Sequence, residues 1–462
     1  MTGILPTAGP RLRLVHPIVD SDGSCPMIYD MERTFILPVP DELRGSIARA
    51  IDSSGYDDRT LHWLISEDLM TIEAPPDWSE KSAKLPTVTD ISFDMSGSCN
   101  LGCVYCFEKD IGSRIGPMSD STAMATLDFT FEKSKGAPVV VLHFGSGEPL
   151  MRFDLLQKIV AEAKRRAANE SKMLFFELTT NATLVTPEIA AFFVQHEFRI
   201  RVSCDGPAAI HDVNRPKLGG QSSYEPVEKG LRILLEHLPE HVTVNSVLTG
   251  GTRLIELWCW AKLLGIRNYH VIKVGAYAED AVNLRARELA MFRADLQAIC
   301  DDIYDTLEAG GTPVNYQPIT KVIRRLMIPQ PITRFCGVAG TYLGVASNGN
   351  VYPCFRHIGV QKYALGDVWQ GVDDERRRDY RALEGADVDH RPICESCWAR
   401  YMCGGGCYAD SAVYGPNRAL PQVHHCPFWR TEIELSIRLY ERMLRGNPRF
   451  CLAMFHDDPG DD

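Results

Sequence analysis

No apolar run in this 462-residue chain approaches the roughly 20 residues needed to cross a bilayer as a helix. The opening segment, MTGILPTAGPRLRLVHP, has neither the apolar core nor the small-residue cleavage site of a secretory signal. Together these absences predict a cytoplasmic protein with no membrane partner. Positive charge is also scarce. Lys and Arg number 49 against 60 Asp and Glu, a net charge of −11, whereas a nucleic-acid partner calls for a basic face. With 45% hydrophobic and 24% charged residues, the composition is that of a globular protein. The length exceeds one ordinary domain.

Cysteine, by contrast, is abundant, with 15 residues. In a reducing compartment, dense and patterned cysteine points to metal or redox chemistry and away from disulfides. Ten of the 15 fall into two groups, one near residue 100 and one spanning 336–426. Cys25, Cys204, Cys259, Cys300 and Cys451 stand alone and are expected to be buried small hydrophobes.

Between the two groups runs a strand–helix rhythm. Runs rich in β-branched and aromatic residues predict strands at Asp90–Met95, Val139–Phe144, Leu174–Thr180, Arg199–Cys204, Val242–Leu248 and Asn268–Val274. Helical patterns separate them at Ser121–Ser134, Asp154–Ala168, Pro187–His196, Tyr224–His237 and Arg253–Leu264. This alternation predicts an α/β fold with a parallel sheet and right-handed crossovers, either open or curled into a partial barrel. In both cases ligands collect at the carboxyl ends of the strands. Ahead of the sheet, Arg11–Val15 and Met27–Leu37 read as strands. Asp41–Asp52 and Arg59–Ile65 read as helices, capped by Asp41 and by Asp57 or Asp58. Ala74–Leu85 reads as a linker. A long helix near Leu284–Ala309 leads into a loop-rich cysteine region, and Glu432–Leu444 closes the chain as a helix. The expected division is an N-terminal domain (1–85), a barrel (86–310), a cysteine-rich domain (311–430) and a C-terminal helix and tail (431–462).

Cys99, Cys103 and Cys106 stand in CNLGCVYC just after the first barrel strand. Three thiolates on one short loop can hold a cubane cluster while leaving one iron without a protein ligand, and a catalytic metal needs such a vacancy. A zinc loop with a remote fourth ligand is the alternative. CNLGCVYCFE resembles the cluster loop of radical S-adenosylmethionine enzymes. The resemblance implies that the open iron is chelated by the amino and carboxylate groups of the cofactor's methionine. Reductive cleavage then yields a 5′-deoxyadenosyl radical that abstracts a substrate hydrogen. It also implies that Tyr105 packs near the adenine. Gly145-Ser146-Gly147-Glu148-Pro149 is similar to the family's glycine-rich turn, with Ser146 as a departure and Glu148 as the partner of the cofactor ammonium. Asn181, Ser203 and Asp205, at later strand ends, resemble ribose-side contacts, and Arg215 is the expected partner of the cofactor carboxylate.

The second group comprises Cys336, Cys354, the run Cys394-x2-Cys397-x5-Cys403-x3-Cys407, and Cys426. Paired cysteines at x2 spacing also suit zinc, but seven are one too many for a single site and one too few for two all-cysteine sites. The run resembles the SPASM extension of radical enzymes that modify peptides and proteins, and with the barrel the resemblance covers about residues 88–430. It implies three [4Fe-4S] clusters. Cys394, Cys397, Cys403 and Cys426 would hold an outer auxiliary cluster, and Cys336, Cys354 and Cys407 an inner one. Where eight-cysteine relatives have a further ligand, this chain has Tyr342, which leaves the inner cluster with an open iron or a ligand from elsewhere. Sulfatase-maturating enzymes place an aspartate base after the cysteine matching Cys354; here Phe355-Arg356-His357 follows instead, and no general base is assigned.

Residues 1–85 weakly resemble the winged-helix element that takes up leader peptides by strand addition, the alternative being a plain extension packed on the barrel. The expected activity is cross-linking of a ribosomal precursor peptide, through a thioether or carbon–carbon bond, with an external electron donor of the flavodoxin or ferredoxin type. Maturation of a protein side chain (a sulfatase or a quinone-cofactor enzyme), chemistry on a small molecule, and a non-catalytic metal scaffold are the alternatives.

Overall fold

The computed structural model describes residues 11–455 apart from 54–55, 72–84, 109–115, 276–281, 384–385, 416 and 418. The predicted linker at Ala74–Leu85 lies almost wholly outside the described residues.

Near the N-terminus, β1 (Arg11–Leu12) pairs antiparallel with β5 (Met70–Thr71), while β2 (Val15–Ile18), β3 (Met27–Asp30) and β4 (Phe35–Pro38) form a three-stranded antiparallel sheet. Met27–Leu37 is therefore a hairpin, not one strand. Asp30 is the cause: its Oδ1 accepts the backbone N–H groups of Glu32 and Arg33, an Asx turn that reverses the chain. Helices Ile47–Ser53 and Asp58–Ser66 follow. Asp57 caps the second by accepting from Thr60 N at 2.7 Å. Asp41 is no cap; it begins a 3₁₀ turn whose N-cap is Pro40.

Six parallel strands come next: β6 (Asp90–Phe93), β7 (Val139–Phe144), β8 (Met173–Thr180), β9 (Arg199–Ser203), β10 (Val242–Leu248) and β11 (Asn268–Lys273). A short parallel strand, β12 (Asn315–Tyr316), extends the β11 edge. At the β6 edge, β13 (Tyr342–Val345) adds in parallel, pairing Tyr342 with Asp90. It continues antiparallel through β14 (Asn350–Tyr352), β15 (Gly366–Asp367) and β16 (Gly371–Val372). The cysteine-rich segment thus shares the barrel's own sheet, an eleven-stranded array.

Alternation along the strands determines which side faces helices. In β9, Ile200 and Val202 are buried against them, whereas Arg199, Arg201 and Ser203 face inward. The helix Phe153–Glu170 covers the sheet with Leu155, Leu156, Ile159, Val160 and Ala163, all fully buried. Each such large apolar side chain contributes about 1.5–3 kcal/mol. Residues of β6 and of β11 line the same cavity, so the sheet curls into a partial barrel. Most inward positions are polar, and the interior stays open where a closed barrel would fill it with branched side chains.

The three-stranded N-terminal sheet docks on the C-terminal cysteine region. Met27 and Tyr29 share a buried cluster with Tyr401, Met402 and Ile433, and His16 stacks on Trp398 at 4.3 Å between ring centroids. Of the isolated cysteines, Cys25, Cys204, Cys300 and Cys451 are buried as expected, but Cys259 is exposed. Its helix, Leu254–Leu263, turns Leu257, Trp258, Trp260 and Ala261 inward and Cys259 to solvent. The closing helix begins earlier than its pattern indicates, at Cys426, with Pro427 in its first turn.

Candidate cluster and cofactor site

One cavity of about 940 Å³ opens at the carboxyl ends of the barrel strands and runs into the lumen. All ten patterned cysteines line it: Cys99, Cys103 and Cys106, then Cys336, Cys354, Cys394, Cys397, Cys403, Cys407 and Cys426. They sort by mutual electrostatic influence into three sets. Cys99 feels Cys106, and Cys103 feels Cys99. Cys407 acts on Cys336, and both act on Cys354; Cys394, Cys397 and Cys426 act on Cys403. Burial pushes the thiols of Cys99 and Cys103 up to about 11, and those of Cys336 and Cys403 to about 12. Thiols raised in this way stay protonated unless a metal displaces the proton. A soft donor set of this kind suits iron–sulfur chemistry.

The glycine-rich turn is shaped for a close approach. Gly147 has φ +63°, and a Cβ there would lie 2.2 Å from Ser98 O and 2.5 Å from Ser96 Oγ. Its N–H donates to both carboxylate oxygens of Glu108 at 3.1 Å. The turn therefore already receives a carboxylate. Tyr105, Gly145, Gly147, Asn181, Ser203 and Arg215 line the cavity, while Ser146, Glu148 and Asp205 are buried behind its wall.

Glu148 accepts from Thr180 Oγ1 at 2.8 Å, Asn181 N at 2.7 Å and Leu150 N at 3.0 Å, which ties the turn to the end of β8. Burial nonetheless raises its carboxyl to about 7. Asp205 accepts from the Tyr105 hydroxyl and from Val247 N, and pairs with Arg215. The Arg215 guanidinium lies 5.3 Å from the Tyr105 ring centroid, with Nη1 4.0 Å from Cys103 Sγ. Asn181 Nδ2 lies 3.7 Å from Cys99 Sγ.

Three features escape the sequence pattern. Glu108 holds Gly147, although its position beside Cys106 says nothing of which N–H it meets. His143 lies in the lumen between Glu177 (Nδ1···Oε2 3.0 Å) and Asp90 (Nε2···Oδ1 3.4 Å), with the Tyr342 ring 5.3 Å away. Polar residues alternating along apolar strands are the available signal for this cluster. Arg356 and His357 contact cysteine sulfurs directly.

Residues 94–258 match the Radical SAM superfamily. The chain carries a radical S-adenosylmethionine domain and is an enzyme of that chemistry. It is homologous to anaerobic sulfatase-maturating enzymes. The cysteine-type enzyme of Clostridium perfringens is 23% identical over 342 residues, covering 70% of this chain and 89% of that one. Among solved structures, a histidine-tagged anSMEcpe with bound AdoMet superimposes with a TM-score of 0.67 at 20% identity, covering 81% of this chain and 100% of that one. SuiB of Streptococcus suis, bound to its precursor peptide SuiA, gives 0.51 at 14% identity, with 86% and 95% covered. These superpositions establish the fold.

Proposed function

We propose that this enzyme modifies a ribosomally made precursor peptide, introducing a thioether or carbon–carbon cross-link. The carrying observation is that ten cysteines from distant segments line one cavity in three sets. On this reading Cys99, Cys103 and Cys106 hold the cluster that binds S-adenosylmethionine. Cys394, Cys397, Cys403 and Cys426 hold the outer auxiliary cluster, and Cys336, Cys354 and Cys407 the inner one. Among the described residues no three His, Cys, Asp or Glu side chains converge on a single-ion point.

When bound, the first cluster and its cofactor supply a deoxyadenosyl radical that takes a hydrogen atom from the substrate. The protein residues bind and orient. Gly147 lets the turn lie against the Ser96–Ser98 segment that leads into Cys99, and Tyr105 and Arg215 border the cofactor space. Asp205 positions both of them, and Glu148 holds the turn against β8. The N-terminal sheet, followed by short helices, suits strand addition by a leader peptide. SuiB, a peptide-bound protein of the same fold, supports a peptide substrate.

The test is anaerobic incubation of reconstituted enzyme with reductant, cofactor and the short peptides encoded nearby. Deoxyadenosine together with a peptide lighter by two hydrogens and unreactive toward hydrazides is expected. An unchanged peptide mass despite cofactor cleavage would refute the proposal. The homology to sulfatase maturases favours a second reading, oxidation of a protein Cys or Ser side chain; its product is an aldehyde and does react with hydrazides.

A further inference from the structure

Cys354 is followed by Phe355-Arg356-His357. Both polar residues reach sulfur. Arg356 Nη1 donates to Cys407 Sγ at 3.0 Å. His357 Nδ1 lies 3.1 Å from Cys354 Sγ, and its Nε2 lies 3.0 Å from the Tyr380 hydroxyl. His357 is fully buried and Tyr380 nearly so.

With a cluster bound, Cys354 would be a thiolate that can only accept, so His357 would present Nδ1–H to it and its Nε2 would accept from Tyr380 O–H. The hydroxyl on the far side would then hold the histidine in that tautomer. Arg356 is anchored as well. Its Nη2 pairs with Asp410 Oδ1 at 2.6 Å, and its guanidinium lies 5.0 Å from the ring centroid of Phe107, the residue after Cys106. That ring in turn packs edge-on against Phe355 at 5.7 Å.

We propose that Arg356 and His357 set the reduction potential of the inner auxiliary cluster by donating hydrogen bonds to two of its three cysteine ligands. The inference rests on the assignment of Cys336, Cys354 and Cys407 to that cluster. One-electron reduction adds one negative charge, part of which resides on the thiolate sulfurs. Donors aimed at those sulfurs, one of them cationic, stabilise the reduced form and raise the potential. Asp410 opposes the effect by neutralising part of the guanidinium charge. Arg356 and His357 are positioning residues that act through sulfur.

The test is a potentiometric titration of the holoenzyme with dithionite, followed by electron paramagnetic resonance, alongside iron and sulfide analysis. In Arg356→Gln one of the three couples should move to lower potential while the other two stay. The expected size is at least tenfold in the reduced-to-oxidised ratio at fixed potential, about 59 mV for one electron. Arg356→Lys should restore part of the shift. Asp410→Asn should move the same couple in the opposite direction, a sign that general loosening would not produce. If Arg356→Gln loses the cluster, the Lys and Asn variants decide. Three loaded clusters with unmoved couples, or shifts of the same sign in Arg356→Gln and Asp410→Asn, overturn the proposal. Wild-type protein with iron for fewer than three clusters instead overturns the cysteine assignment on which it stands.

Discussion

Arg215 Nε lies 3.0 Å from Asp205 Oδ1, and both side chains are buried beside the loop of Cys99, Cys103 and Cys106. Asp205 also receives the Tyr105 hydroxyl and the Val247 N–H, so one carboxylate joins the ends of β9 and β10 to the aromatic next to Cys106. Removing it strands a guanidinium in the interior. Asp205→Ala should cost about 3–5 kcal/mol, read by anaerobic denaturant unfolding, whereas Arg215→Ala with Asp205→Ala together should cost less than the sum of the singles. Additive losses would show that the two groups do not act as a pair.

Gly147→Ala tests the turn. The added Cβ meets backbone at Ser98 O, 2.2 Å away, on a residue with φ +63°. The turn must therefore shift by a large fraction of an ångström, and misplacement of that order costs about 10²-fold in rate. Deoxyadenosine formation should fall by that factor while the auxiliary iron content stays unchanged. Full activity would mean that the turn does not border the cofactor.

Replacing Cys99, Cys103 and Cys106 together by Ala should remove about four irons per chain and abolish deoxyadenosine formation, measured by iron analysis and chromatography. Replacing Cys394 and Cys397 should also remove about four irons yet leave cofactor cleavage detectable. Equal loss of cleavage in both variants would contradict separate clusters.

His143 gives a pH prediction. Burial lowers its pKa, but hydrogen bonds and charge from Asp90 and Glu177 outweigh burial and raise it to about 9, above the ordinary 6.5. The folded protein therefore binds this proton more tightly than the unfolded chain does. The resulting stability is fully present below pH 6.5 and is lost as pH rises through 9. His143→Gln should flatten the stability profile across that window, and an unchanged slope would show that the imidazole is not charged in the fold.

Much of the barrel is legible in the sequence. Val139–Phe144, Val242–Leu248 and Tyr224–His237 match their observed bounds, because long apolar periods bounded by turn residues leave few alternatives. Neither Ala208–Asn214 nor Gln317–Met327 is among the helices expected from the sequence. The first is a short helix inside a motif-bearing segment; the second carries Ile319, Val322, Ile323 and Leu326 at helical spacing, a stripe present in the sequence, and packs against β11 and the C-terminal helix. The pairing of β13 with β6 is equally out of reach, since Tyr342 and Asp90 lie far apart along the chain and strand pairing carries no local mark.

Spacing, through the C-x3-C-x2-C loop and the seven later cysteines, marked out metal chemistry, and the family resemblance carried by those motifs supplied the chemical class, because ligand count and loop length are local properties of the chain. Tertiary structure decided which thiols share a space, that Glu148 and Asp205 lie behind the cavity wall, and that Arg356 and His357 reach sulfur. Those relations depend on side-chain direction and on strands brought together across hundreds of residues, which no residue pattern encodes locally.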